Sequence, residues 1–223
     1  MFELIEEIKV LEQGCSERWH AIHDGHGGVI RNPPSDHPIF SIPGVTSRLV
    51  RGDGLHILFT KGVYAHLLGS ILHYFCWKNG PGAQTVPPWK RCGLIFEQVQ
   101  QFYRNHNTAT RLTNLKISMF ASKDKPHQQW GFLNAKGAEC KHMAPALLAV
   151  CKQVLSEANE VDNHIVAALE NIVQLTDLFD QCHMFLTPAE HSLALQKAEL
   201  FLDNYDWLNK WALEEGRKSF HSD

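Results

Sequence analysis

Beyond residue 52 the apolar residues recur mostly at helical spacing, and that pattern predicts most of the fold. Asp53 is placed to cap a helix, its carboxylate accepting from the free N–H groups of the first turn. The helix continues as LHILFTKGVYAHLLGSILHYFCW and stops before NGPG, Asn79 to Gly82. Pro88 suits a first helical position and opens a second helix, from Trp89 to about Asn105, with Leu94, Ile95, Val99 and Phe102 at helical spacing. Thr108 to Trp130 is ambiguous: LTNLKISMF reads as a strand or a helical turn, and SKDKPHQQW as a loop. Gly137 to Glu157 reads as a helix that Pro145 must kink or break. Val161 to Cys182 places Ile165, Leu169, Ile172, Leu175 and Phe179 on one face. Thr187, Pro188 and Glu190 then form a capping box with proline at the first helical position. That last helix runs to about Glu215, where Gly216 can end it.

The N-terminal quarter reads differently. Phe2 to Gln13 is a short amphipathic helix ending at Gly14. Cys15 to Arg51 holds HDGHGG, NPPSDHP and IPG, a density of proline and glycine that forbids a long helix. The fold expected is therefore mainly α: a bundle-like array of helices with an irregular, partly extended N-terminal third. Its parts are an N-terminal helix over 1–14, an irregular segment over 15–51, a helical domain over 52–216 and a tail over 217–223.

Composition narrows the class. A chain of 223 residues that is 44% hydrophobic and 20% charged can build a core and is too apolar for a disordered polymer. The six cysteines include no C-x-x-C pair, which favours a reducing compartment. MFELIEEIKVLEQ is too acidic for a leader. Gly54 to Trp77 is interrupted by His56, Lys61, His66 and His73, against a membrane span. An intracellular, soluble protein of nucleus or cytoplasm is expected, not a secreted one.

Net charge is −3 but unevenly spread. Between Lys90 and Lys125 seven Lys/Arg face only Glu97 and Asp124, a net of +5. Between Ser156 and Glu215 twelve acids face only Lys197 and Lys210. Two parts that attract each other would give this asymmetry, and so would a basic binding face. On the second reading Lys90, Arg91, Arg104, Arg111 and Lys116 are the candidate phosphate contacts. Phe96, Phe102, Tyr103 and Phe120 interleave with them, although aromatics at this spacing also suit a core.

Gly62, His66, Gly69 and His73 share one helical stripe, and glycines on it would let another backbone approach closely. His66 and His73 lie about 10 Å apart along the axis, too far to chelate a metal side by side with bonds of about 2 Å. They fit buried, hydrogen-bonded histidines. Asp53 and His56 form D-x-x-H, either a cap with a following histidine or a carboxylate that holds a divalent ion. His20, His23 and His26 crowd one glycine-rich loop, a possible zinc cluster or a solvated one. No G-x-S-x-G elbow, Walker lysine or dinucleotide fingerprint is present.

HPIFSIPGV, His37 to Val45, followed by GDGLHILFTKGVYAHLLGSILHYF, Gly52 to Phe75, resembles a recurrent stretch of transposon-derived proteins. These include the expanded, uncharacterised families of dinoflagellate genomes and, more remotely, CACTA-like DNA transposases. KGAECKH, Lys136 to His142, and FLTPAEH, Phe185 to His191, resemble later blocks of the same group, so the resemblance covers most of the chain from about His37. It implies an RNase H-like ancestry with a two-metal DD(E/D) site, using Mg or Mn to cut or join DNA. Carried over, Asp53 would be a metal-binding acid, His56 its neighbour and Glu139 a later acid. No upstream strand aspartate is found, since Asp24 lies in a loop. The resemblance therefore implies a fragment or domesticated remnant, inactive by itself, that binds DNA or a protein partner. The alternatives are a non-enzymatic helical scaffold and, further off, a metal-dependent nuclease-like enzyme using Asp53.

Overall fold

The computed structural model describes residues 58–59, 62–81, 85–121, 131–182, 186–216 and 220, all within the compact unit Gly54–Asp223. These residues are mainly α-helical, as the periodicity predicts. Five helices follow in order: α1 Val63–Tyr74, α2 Pro88–Asn105, α3 Gly137–Val154, α4 Glu160–Gln181 and α5 Pro188–Glu214. A π-helical turn, Phe75–Asn79, extends α1, and a 3-10 turn covers Ile117–Met119. No strand occurs among the described residues. The expected helix Phe2 to Gln13, the irregular segment to Arg51 and the Asp53 cap lie outside them.

Helix α1 is the hub. All its residues except His66 are buried, with Leu67, Leu68, Ile71 and Leu72 completely so. Each such side chain contributes about 1.5–3 kcal/mol by leaving water. The helix does not run unbroken from Asp53, however. Gly62 has φ −99° and ψ −151°, and α1 begins after it. Glycine has the weakest helix preference of any residue but proline, so the break falls where it costs least.

The glycine stripe does what its spacing suggests. Residues 131–134 cross α1 at Gly69, and the Leu133 N–H donates to the Ala65 carbonyl at 2.8 Å. A Cβ on Gly69 would fall 2.5 Å from Phe132 N, and one on Gly131 would fall 2.7 Å from the Gly69 carbonyl. Two backbones meet with no side chain between them. The other side of 131–134 is tied to the 3-10 turn: Asn134 N–H donates to the Met119 carbonyl at 2.7 Å and Phe132 N–H to the Phe120 carbonyl at 3.4 Å. The ambiguous LTNLKISMF thus ends in a helical turn whose following residues pair with 131–134.

Helix α3 packs against α1, α2 and α4. It runs through Pro145 without a break, which leaves the kink of the two expected outcomes; that proline leaves one helical hydrogen bond unmade. Asn159 caps α4, its side chain accepting from Val161 N–H at 3.0 Å. Ile165, Leu169, Ile172 and Leu175 are buried as the pattern predicts, whereas Phe179, at the end of that stripe, is exposed. The predicted capping box opens α5: Glu190 N–H donates to Thr187 Oγ1 at 3.3 Å and Thr187 N–H to Glu190 Oε2 at 2.7 Å. Gly216, at φ +63°, ends it in a left-handed turn. His164, early in α4, bonds Asn204 at 2.8 Å and stacks on Trp207, both late in α5, so these two helices pair antiparallel.

One polar cluster locks the hub to this pair. Asp162, in the first turn of α4, is buried yet saturated with donors. Tyr74 Oη donates to it at 2.7 Å, Asn79 Nδ2 at 2.8 Å and Ser156 N–H at 3.0 Å. The helix N-terminus adds favourable dipole charge. Burial, together with the bond to Asp162 and its charge, pushes the Tyr74 phenol well above its ordinary pKa, so it stays a donor. Farther up α1, Tyr64 Oη bonds the Ile172 carbonyl at 3.0 Å and Thr176 at 2.6 Å.

Two stability measurements check this account. Gly69→Ala should lower the unfolding free energy by about 1–3 kcal/mol, because the intruding methyl has only backbone to push against. Gly93→Ala, on α2 with open space at its Cβ, should instead raise it by about 0.5–1 kcal/mol. Equal effects at the two sites would remove the close crossing. Asp162→Ala should cost about 3 kcal/mol or more by orphaning buried donors, and a double-mutant cycle with Tyr74→Phe in urea should show coupling of about 1–3 kcal/mol.

Candidate functional site

Helix α2 ends in a way that builds a cleft. Its last turns turn Tyr103 inward and Arg104 outward. Asn107 takes φ +47°, and Thr108 N–H donates back to the Tyr103 carbonyl at 3.2 Å. This is the Schellman closure of a helix, with asparagine at the left-handed position. The chain then reverses, and buried Leu112 and Leu115 pin residues 111–116 to the domain while Arg111, Thr113 and Lys116 stay outside. Cys92 Sγ, near the start of α2, lies 3.8 Å from the Leu115 carbonyl and holds the far end.

Arg104 and Arg111 are thereby brought onto one cleft of about 410 Å³, together with Gln100, Tyr103, Leu112 and Thr113. Both guanidiniums are held. Arg104 Nη2 donates to Gln101 Oε1 at 2.6 Å and Arg111 Nε to the Thr108 carbonyl at 2.8 Å. Among the described residues neither forms an ion pair with a carboxylate. Tyr103 is 2% exposed, and its hydroxyl completes no hydrogen bond. Burial, with the nearby charge of Glu139, pushes its pKa up to about 12, against the opposing pull of the Leu112 amide and Arg111. The phenol is therefore a neutral donor at ordinary pH.

The other candidate phosphate contacts are scattered. Lys90 is exposed at the first turn of α2, over the ring of exposed Trp89 at 5.4 Å. Lys116 is exposed beyond Leu115. Arg91 is buried at 4% exposure, on a stripe with Ile95 and Val99, and is not offered to solvent. The structure thus unites Arg104 and Arg111 and separates Arg91 from them. Arg104 and Arg111 form no ion pair with the acidic stretch among the described residues. The acids of α4 pair instead with α3, Asp180 with Lys141 and Glu170 with Lys152, each at 2.6 Å.

Glu139 is committed to its own helix, where Oε2 accepts from Lys136 N–H at 2.9 Å in the first turn of α3. Asp53, His56, His20, His23 and His26 lie outside the described residues. Among the described residues no three His, Cys, Asp or Glu side chains converge as metal ligands would. His66 meets Phe132 edge-on at 5.0 Å, and His73 stacks on Trp77 at 4.5 Å. No described helix is long and apolar enough to cross a membrane. A second, larger cleft of about 670 Å³ lies beside Asp162, but its Lys152 and Glu170 pair with each other and Asp162 is saturated. Periodicity misses Asp162 altogether. An acid at the third position of a helix reads as an exposed cap, and its partners Tyr74 and Asn79 are more than 80 residues away.

Comparison with protein-family models, with curated proteins and with solved structures finds no match to this chain. The site's own geometry therefore carries the functional argument.

Asn107 tests how the cleft is built. A non-glycine residue in the left-handed region costs about 1–2 kcal/mol, less for asparagine. Asn107→Gly should leave stability unchanged or raise it slightly, whereas Asn107→Val should lower the melting temperature measurably. Equal melting temperatures for the two variants would contradict the role of this turn.

Proposed function

We propose that the chain is a transposase-derived fragment or domesticated remnant, without nuclease activity of its own, that holds DNA through its basic central segment. One observation carries the DNA-binding part. Arg104 and Arg111 leave two different pieces of backbone, meet on one cleft, and have no carboxylate partner among the described residues. Exposed cations held in place and not neutralised within the chain suit a polyanion, whose release of counterions drives association. Exposed Lys90 and Lys116 lie toward the start of α2, away from this cleft, and add positive charge there. The inactive part rests on Glu139, whose carboxylate caps its own helix. A divalent ion, Mg or Mn, would enter only if Asp53 still served as a metal-binding acid.

A helical scaffold without a catalytic site is the second reading. Exposed Leu193 and Leu200, seven residues apart on α5, and exposed Phe179 on α4 favour it as sites for a protein partner.

Fluorescence anisotropy with a labelled DNA duplex separates the two. Binding should be present at low salt and should fall steeply as salt rises. Replacing Arg104 and Arg111 together by Gln should reduce the logarithmic salt slope by about 2 with an unchanged melting temperature. Absence of binding at low salt would leave the scaffold reading in place. In the same preparation, Mg- or Mn-dependent strand cleavage should be absent. Cleavage that Asp53→Asn abolishes would overturn the claim of inactivity.

A further inference from the structure

We infer that the Arg104–Arg111 cleft is a seat for a dianionic phosphate monoester, such as a terminal phosphate, in preference to an internal phosphodiester. The inference shares its cleft with the DNA-binding reading and specifies what that cleft takes. Charge is the first argument. Two guanidiniums line the cleft with no carboxylate paired to either among the described residues. A phosphomonoester carries close to two negative charges at neutral pH, with a second pKa of about 6, whereas a backbone diester carries one. Two fixed cations therefore match the monoester and leave one cation uncompensated by the diester.

Donor geometry is the second argument. Arg111 gives only its Nε to Thr108, and Arg104 gives Nη2 to Gln101. The remaining guanidinium N–H groups are available, and the bonds already made fix the planes that carry them. Fixed planar forks of this kind are the usual recognisers of phosphate. Thr113 and Gln100 add a hydroxyl and an amide to the walls.

The third argument is Tyr103. It is among the residues around the cleft, is almost wholly buried, and has a hydroxyl with no completed hydrogen bond, approached only by the Leu112 amide. A buried polar group without a partner costs stability and calls for an explanation. A bound oxyanion supplies the missing acceptor.

The test uses the full chain and three probes: inorganic phosphate, a 5′-phosphorylated single-stranded oligonucleotide, and the same oligonucleotide with a 5′-hydroxyl. Binding is read by calorimetry and by phosphorus NMR. Inorganic phosphate should bind, and Arg104→Gln or Arg111→Gln should weaken it about tenfold, the worth of one charge-assisted hydrogen bond. Tyr103→Phe should weaken it several-fold without lowering the melting temperature, since the hydroxyl removed has no completed bond in the chain. The 5′-phosphate oligonucleotide should bind about tenfold more tightly than its 5′-hydroxyl twin. Equal binding of the two, with DNA binding intact, would overturn this inference and leave the DNA-binding reading standing. Phosphate binding that depends on both arginines, with neither oligonucleotide bound, would overturn the DNA reading and assign the seat to a small phosphorylated molecule. No phosphate binding, or binding indifferent to both arginines, would overturn the seat itself.

Discussion

The contact between Gly69 and Gly131 fixes how closely a second segment of chain can lie on the buried helix α1. With no Cβ on either side, residues 131–134 sit against the helix backbone and donate to the Ala65 carbonyl. That position sets the next one. The same four residues bond Met119 and Phe120, and those follow directly on the 111–116 segment that forms one wall of the cleft. The crossing therefore anchors the 3-10 turn that follows this segment, although the glycines touch no part of the cleft.

A second constraint acts on the opposite end of α1. Burying Asp162 would be costly if any of its donors were missing. Tyr74, Asn79 and Ser156 come from the end of α1, the π turn and the connection before α4, and they must be in place together. The hydrophobic helix is thus held by backbone contact at its middle and by a charged hydrogen-bond cluster at its end. Apolar packing alone would leave its rotation loosely specified. These two contacts set both its angle and its height.

Much of this was legible in the sequence because local signals agreed with the fold. Thr187, Pro188 and Glu190 open α5 where their chemistry requires, Pro88 opens α2, and the glycine stripe on α1 marks a close approach. The departures have separate causes. Arg91 was read as a surface cation, yet it lies four and eight residues before Ile95 and Val99 on the buried stripe of α2, and that spacing was the available signal. Phe179 continues the apolar stripe of α4 but passes beyond what covers it. Pro145 is tolerated inside α3 because packing against three other helices outweighs one missing hydrogen bond. The cleft itself could not be read. Arg104 and Arg111 are seven residues apart, and nothing in their spacing says that a left-handed asparagine folds one onto the other. That information is tertiary, as it is for Asp162.

The burial of α1 also bears on how the protein folds. Some of the groups that cover this helix lie far along the chain. Ile172 follows Tyr64 by 108 residues, and Phe220, whose N–H donates to Ser70, follows that serine by 150. Without them a helix apolar on nearly every side is only partly covered, by the π turn, residues 131–134 and α3. Complete burial of α1 therefore waits on contacts of long range, which form slowly because their loops must close first.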